Sequence, residues 1–175
     1  MVIENKYEIR GDVTAIIIES FKYGRFESLI STRHLKKLIS YPVLWTVIYN
    51  SHIKQFYCKC FVRGNSNVKT VPLHRFITDA PKGLVVDHIN HDTLDNRDEN
   101  LRIITHRENL QNRKGAQSDS RTGIRGVGWE KGKNKWRARI KINGKSILIG
   151  RFDDISEAEA AVKAARKKYM PFSNN

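Results

Sequence analysis

The 175-residue sequence predicts an α+β fold whose strands and helices are grouped in three successive parts. Three observations indicate this class. The first 72 residues contain several short strand-like runs and one helix-like run, residues 73–113 follow a strand, loop, strand and helix pattern, and residues 124–172 are typical of a three-stranded antiparallel sheet packed on one helix. A chain of this length has room for one or two small domains with modest cores.

Residues 1–72 are predicted to form a strand-rich scaffold. Gly11-Asp12 separates the first two strand-like runs and predicts a hairpin there. Thr32–Ser40 has apolar residues at helical spacing, and Pro42 is expected to end that helix. The four strands predicted in this part are Tyr7–Arg10, Val13–Ile18, Val43–Tyr49 and Phe56–Arg63.

The two cysteines, Cys58 and Cys60, lie two residues apart in a predicted strand, so both side chains are expected on one buried face. Two cysteines are too few for a disulfide framework or for a zinc site built from cysteine alone.

The sequence also argues against a membrane protein. Its longest apolar runs, such as Val43–Ile48, are far shorter than the roughly 18 residues that a membrane span needs. The first residues carry acid and polar groups where a secretory signal would be apolar, which predicts a cytoplasmic protein.

Positive charge is concentrated in one part of the chain. The net charge is +14, and residues 102–151 contain fourteen Lys or Arg against three acids, interleaved with Trp129 and Trp136. A dense run of one sign, with aromatic residues between the charges, is better explained by a phosphate-facing surface than by an ordinary solvated face. The composition therefore predicts nucleic acid as the partner.

Residues 114–123 are small and polar without periodicity, so they are predicted to be a linker. The part that follows, 124–172, contains three predicted strands joined in part by Asn143-Gly144, a strong hairpin signal. A two-residue turn there places Ala138 opposite Ile149. The helix is expected to begin with a capping box at Ser156–Glu159. In the middle strand, apolar residues alternate with Arg137, Arg139 and Lys141.

Residues 122–172 resemble the AP2 DNA-binding domain. The similarity depends on Arg125-Gly126-Val127, on Lys135–Ile140 and on Ile149–Asp153 followed by the alanine-rich helix. Gly128 and Leu148 stand where plant members usually have Arg and Trp, so base contacts cannot be transferred. Together with the charge pattern, the resemblance implies DNA contacts by Arg125, Trp129, Arg137, Arg139, Lys141 and Arg151.

The chemistry is expected within 73–113. A short apolar strand delivers Asp87-His88 to its end, and a polar loop returns through Asn100 to a second strand. Thr105 and Glu108 then form a capping box for a helix that carries Asn109. A carboxylate and an amide oxygen suit a hard cation such as Mg²⁺, and a neighbouring imidazole can take a proton from water near neutral pH.

This part resembles the HNH endonuclease motif in its variant that ends with Asn. The matching segments are Leu73-His74-Arg75, Val85–Asn90, Asp95-Asn96-Arg97, Asn100-Leu101-Arg102 and Asn109–Asn112. The resemblance implies a ββα-metal finger in which Asp87 and Asn109 hold one divalent ion, Mg²⁺ or alternatively Mn²⁺. It also implies that His88 is the general base, that Asn100 fixes the loop orienting His88, that Arg75 contacts a phosphate, and that cleavage leaves 5′-phosphate and 3′-hydroxyl ends.

An HNH unit followed by an AP2 unit is similar to homing endonucleases of phages and prophages. The similarity implies a site-directed enzyme that acts on double-stranded DNA as a monomer, in the cytoplasm of a bacterial host. Two alternatives stay open: a DNA-binding regulator whose HNH-like finger is a remnant, and a protein that binds RNA with its basic face.

Overall fold

The computed structural model describes residues 4–64, 67–113, 115–116 and 119–173. It contains two compact units, Met1–Ile104 and Thr105–Asn175. The predicted linker 114–123 falls inside the second unit, and its residues 114, 117 and 118 lie outside the described part of the chain. The predicted division into three parts, 1–72, 73–113 and 124–172, with a linker at 114–123, stays a prediction. Within the described residues, no helix is long and apolar enough to cross a membrane.

The first unit begins with an antiparallel meander. Its strands are β1 (Lys6–Arg10), β2 (Val13–Ser20) and β3 (Gly24–Ser31), and the first two form the hairpin predicted at Gly11-Asp12. The predicted helix is shorter than expected, because Thr32–His34 forms a 3₁₀ turn before α1 (Leu35–Ile39).

A second antiparallel sheet completes the scaffold. It consists of β4 (Thr46–Asn50), β5 (Gln55–Arg63) and β6 (Val68–Pro72), and α2 (Leu73–Thr78) follows directly. Cys58 and Cys60 on β5 are both buried as free thiols, which confirms the prediction from their spacing. Apolar side chains from both sheets and both helices form one core around the fully buried Trp45.

Three short strands complete the first unit. They are β7 (Val85–His88), β8 (Asp95–Asn96) and β9 (Leu101–Ile104). β7 and β9 pair antiparallel, whereas β8 pairs parallel with β3 and so ties the intervening loop to the N-terminal scaffold.

The second unit begins with α3 (His106–Asn109), which Thr105 and Glu108 cap in the box that the sequence predicted. A 3₁₀ turn, Leu110–Asn112, continues it. The three predicted strands form one antiparallel sheet of β10 (Val127–Glu130), β11 (Lys135–Ile142) and β12 (Lys145–Phe152), and α4 (Ile155–Tyr169) packs on it.

Two details of this unit differ from the sequence prediction. Asp154, not Ser156, caps α4, because its carboxylate accepts hydrogen bonds from the backbone N–H groups of Ser156 and Glu157. Ala138 lies opposite Gly150 rather than Ile149, because a β-bulge shifts the register between Ala138 and Arg139. β11 and β12 are joined at Asn143-Gly144 as predicted, and the mixed α+β class is confirmed.

Candidate active site and cationic sheet

The end of β7 places Asp87 and His88 in the interior of the first unit. Val85 and Val86 precede them as the apolar part of the strand, and β9 pairs along its whole length. Asp87 is 9% exposed and His88 is 5% exposed, so both polar side chains need partners in the protein.

Asp87 is paired with a cation from the neighbouring strand. Arg102 lies directly opposite Asp87 in the ladder, and its Nε and Nη2 atoms lie 2.8 and 2.7 Å from Asp87 Oδ2. A guanidinium with two contacts to one carboxylate is a strong, charge-assisted arrangement. It holds the Asp87 carboxylate in one orientation beside His88.

The hydrogen bonds around Asn96 determine which nitrogen of His88 carries the proton. Asn96 Nδ2 donates to the carbonyl of Leu94 at 3.2 Å, and a carbonyl can only accept, so Asn96 Oδ1 is the atom that faces His88 Nε2 at 3.2 Å. His88 Nε2 must therefore be the donor. In the neutral imidazole this leaves the lone pair on Nδ1.

Two further rings surround His88. The ring of His74 on α2 lies edge to face against the ring of His88, with centroids 5.2 Å apart. The ring centroid of Tyr57 on β5 lies 6.1 Å from that of His88 and 5.8 Å from that of His74. His74 Nδ1 is buried and has no hydrogen-bond partner among the described residues. Burial, with smaller contributions from His88 and Arg75, lowers the pKa of His74 to about 3. Burial also lowers the pKa of His88, against the opposing effects of Asn96 and Asp87.

Asn100 holds the loop between β7 and β9 together. Its side chain accepts a hydrogen bond from the backbone N–H of Asn90 at 2.8 Å and donates to the carbonyl of Asp95 at 2.7 Å. Its backbone carbonyl accepts from the N–H of Ile89 at 2.9 Å. Asn100 thus holds Ile89, which follows His88, and Asp95, which precedes Asn96.

The predicted metal ligands lie in different units, Asp87 on β7 and Asn109 at the end of α3. Their pairing therefore stays a prediction. In the described parts of the chain, no three His, Cys, Asp or Glu side chains come together as a metal-binding group. One carboxylate and one amide oxygen nevertheless fit the chemistry of a hard cation that keeps several waters.

Arg75, predicted to contact a phosphate, has a set of contacts within the protein. Its guanidinium donates to the carbonyl of Leu84 at 2.8 Å and to those of Ala80 and Pro81 at 2.9 and 3.2 Å. These bonds close the turn that leads into β7. A phosphate contact by Arg75 stays a prediction.

The sheet of the second unit has an apolar face and a cationic face. Ala138 and Ile140 on β11 are buried, whereas the alternating Arg139 and Lys141 are exposed. Arg137 is half-buried and lies opposite Arg151. We call Arg137, Arg139, Lys141 and Arg151 the cationic row.

Two members of this row, Arg151 and Arg137, and the neighbouring Trp129 differ in their surroundings. Arg151 pairs with Glu130, with Nε and Oε2 3.0 Å apart. Arg137 Nε is buried and lacks a hydrogen-bond partner among the described residues. Trp129 lies opposite Trp136 in the ladder, so it shares that residue's face rather than the face of the cationic row, and it is 46% exposed.

Arg125, the remaining predicted DNA contact, is engaged by backbone. Its Nη1 atom donates to the carbonyls of Gln111 and Arg113 at 3.0 and 2.8 Å, and Nη2 donates to that of Leu110 at 3.2 Å. Contact between Arg125 and DNA stays a prediction.

Four residues that line the Asp87 and His88 site received no role from sequence reasoning: Tyr57, His74, Asn96 and Arg102. His74, Asn96 and Arg102 belong to segments that carry the HNH resemblance, so their place in the motif could have indicated that they line the site. Tyr57 comes from a distant strand, and nothing in its local sequence indicates this contact.

A comparison with protein families matches the part of the chain that contains Asp87 and His88. A protein family described as HNH endonuclease matches residues 79–111. Protein 3.8 of Escherichia phage T7 is 32% identical over 88 residues, which cover 50% of this chain and 71% of that protein. Comparison with solved structures gives no significant match.

Proposed function

The chain belongs to the family of Protein 3.8 of Escherichia phage T7 and contains an HNH endonuclease domain, and from this premise we propose that it is a divalent-metal-dependent DNA endonuclease. The observation that carries the proposal is the buried pair Asp87 and His88, with the proton of His88 held on Nε2 by Asn96. Such a pair can combine cation binding with proton transfer at one point.

His88 is the proposed general base. The neutral ring accepts a proton on Nδ1 from an attacking water, and Nε2 keeps its hydrogen bond to Asn96 throughout. Burial lowers the pKa of His88, so the ring is neutral and able to accept that proton at physiological pH. Asn100 supports this role because its side chain binds the backbone of Asn90 and Asp95, which lie in the loop between His88 and Asn96.

Asp87 and Asn109 are the proposed ligands of one divalent ion, Mg²⁺ or Mn²⁺. When bound, the ion stabilises negative charge on the scissile phosphate and on the leaving 3′ oxygen, which leaves 5′-phosphate and 3′-hydroxyl ends. Arg102 holds the Asp87 carboxylate in place from β9, so the ligand is oriented before the ion arrives.

The cationic row is the proposed surface for double-stranded DNA. Arg139 and Lys141 are exposed, so their charged groups are accessible to phosphates and guanine edges. A three-stranded sheet backed by one helix also supports the proposed likeness to AP2 domains. A nuclease domain followed along the chain by a DNA-binding sheet favours site-directed cutting of the homing type, which we propose is carried out by a monomer.

The proposal is tested with purified protein and supercoiled plasmids that carry phage DNA inserts. Incubation with Mg²⁺ should convert the plasmid to open circles or linear molecules, and EDTA should prevent this. DNA ligase should then reseal the products without prior phosphorylation. A gel shift on every insert without cleavage would instead favour the DNA-binding regulator, and tighter binding to structured RNA at matched salt would favour the RNA alternative.

A further inference from the structure

Arg125 connects two segments of the second unit that are 12 to 15 residues apart in sequence. Its guanidinium donates to the carbonyls of Leu110, Gln111 and Arg113, all at the C-terminal end of the helical stretch that begins at Thr105. Carbonyl groups at a helix end have no partner within the helix and carry partial negative charge, so a cation stabilises them.

Arg125 itself is fixed to the sheet. Its backbone carbonyl accepts a hydrogen bond from Nη1 of Arg166 at 2.8 Å, and Arg166 on α4 is 4% exposed. The next residue, Gly126, has a φ of +86° and accepts from the N–H of Arg139 at 2.8 Å. A Cβ at Gly126 would clash with the carbonyl of Arg139, so the chain here passes tightly against β11.

We propose that Arg125 is a positioning residue that locks the segment carrying Asn109 onto the cationic sheet. The inference rests on the proposed function, in which Asn109 is a metal ligand and the sheet binds DNA. DNA seated on the cationic row then fixes the location of Asn109 through the three bonds of Arg125. The proposed metal ligand Asn109 thus keeps a fixed position relative to the DNA-binding sheet, because the bonds of Arg125 hold its segment there.

In this role the guanidinium of Arg125 binds backbone carbonyls of the protein and does not contact a DNA base. Both terminal nitrogens of Arg125 are occupied by carbonyls, whereas Arg139 is exposed on the open face of the sheet. If Arg125 turned toward DNA, the carbonyls of Leu110, Gln111 and Arg113 would each lose a bond. Lysine cannot replace this arrangement, because one ammonium cannot reproduce a planar fork that reaches three separated oxygens.

The test uses the full-length chain and the variants Arg125→Lys and Arg125→Ala, with Arg139→Ala as the matched comparison. Hydrogen exchange of residues 106–113 is measured first, because it needs neither metal nor cleavage. We expect both Arg125 variants to exchange about tenfold faster in this segment while β11 keeps its protection, and Arg139→Ala to exchange as the wild type does.

DNA affinity is measured next with a fluorescent duplex of arbitrary sequence at low salt. Arg125→Lys should bind within twofold of the wild type, and Arg139→Ala should bind several-fold more weakly. If plasmid cleavage is observed, Arg125→Lys should lower its kcat at unchanged affinity. Unchanged exchange in Arg125→Lys, or weaker binding by both Arg125 variants with residues 106–113 still protected, would overturn the inference. A wild type that cuts no DNA would overturn the proposed function but leave the exchange result standing.

Discussion

The imidazole rings of His74 and His88 meet edge to face, with centroids 5.2 Å apart and planes 84° apart. α2 packs against β5 and β7, and this packing brings together two residues from separate segments of the HNH pattern. His74 therefore limits the orientations open to the proposed base. Tyr57 closes the same cluster from the N-terminal scaffold, which gives the first 72 residues a part in shaping the site.

His74→Ala should lower plasmid cleavage by about ten- to a hundredfold, because a proposed base that loses its packing partner no longer stays in the productive orientation. DNA affinity should be unchanged, since His74 lies outside the cationic row. His106→Ala, at an exposed position on α3, serves as the control and should cleave like the wild type. Equal rates for His74→Ala and the control would show that the ring contact has no role in cleavage.

Acid should destabilise the protein through His74. Its pKa is lowered from the ordinary 6.5 to about 3, chiefly by burial, so in this interval the unfolded chain binds a proton that the folded chain does not. The free energy of unfolding should therefore fall as the pH decreases between these two values. Urea unfolding across this range should show a shallower pH dependence for His74→Ala than for the wild type. Parallel curves would contradict the assignment.

The tautomer of His88 can be observed directly. Because Asn96 Oδ1 accepts from Nε2, the neutral ring should carry its proton there, and nitrogen NMR of the two ring atoms distinguishes the tautomers. Asn96→Leu removes the acceptor, so the ring should become a mixture of tautomers and cleavage should fall by about tenfold or more. A wild-type ring protonated on Nδ1 would contradict the geometry described here.

The cationic row should determine how salt affects DNA binding. Arg139→Ala removes one phosphate contact, so the slope of log affinity against log salt should decrease in magnitude by about one. Lys36→Ala, at an exposed position on α1 in the first unit, is the control and should keep the wild-type slope. If Arg139→Ala and Lys36→Ala had the same salt slope, the DNA would bind at a surface other than the cationic row.

Much of the second unit could be predicted from sequence, because its signals are local. Asn143-Gly144 fixes the turn between β11 and β12, and alternation along β11 separates the buried Ala138 from the exposed Arg139. The bulge in β12 was not predicted, although Gly150 inside the strand, next to the bulged Ile149, is a local signal for one. The cap of α4 could not be assigned from the sequence, because Asp and Ser are comparable capping residues and lie two positions apart here. The structure shows that Asp154 is the cap.

The sequence predicts that Asp87, His88 and Asn100 lie at one strand end and its loop, and the structure places them there, while their roles stay predictions. The surroundings of these residues could not be predicted. The two-residue strand β8 was not predicted, because Asp95-Asn96 carries no strand pattern and pairs with β3, more than 60 residues earlier. The orientation of His88 depends on that pairing, because it places Asn96 next to Ser28 on β3, which accepts from Asn96 Nδ2 at 3.0 Å.

The proposed role of His88 as the general base is tested most directly by comparing the wild type with His88→Ala on supercoiled plasmid in the presence of Mg²⁺, at protein concentrations where both bind all of the DNA. We expect metal-dependent conversion by the wild type and none by His88→Ala, with equal gel shifts for the two proteins. Equal conversion by both proteins would show that His88 is not the base and would contradict the mechanism proposed here.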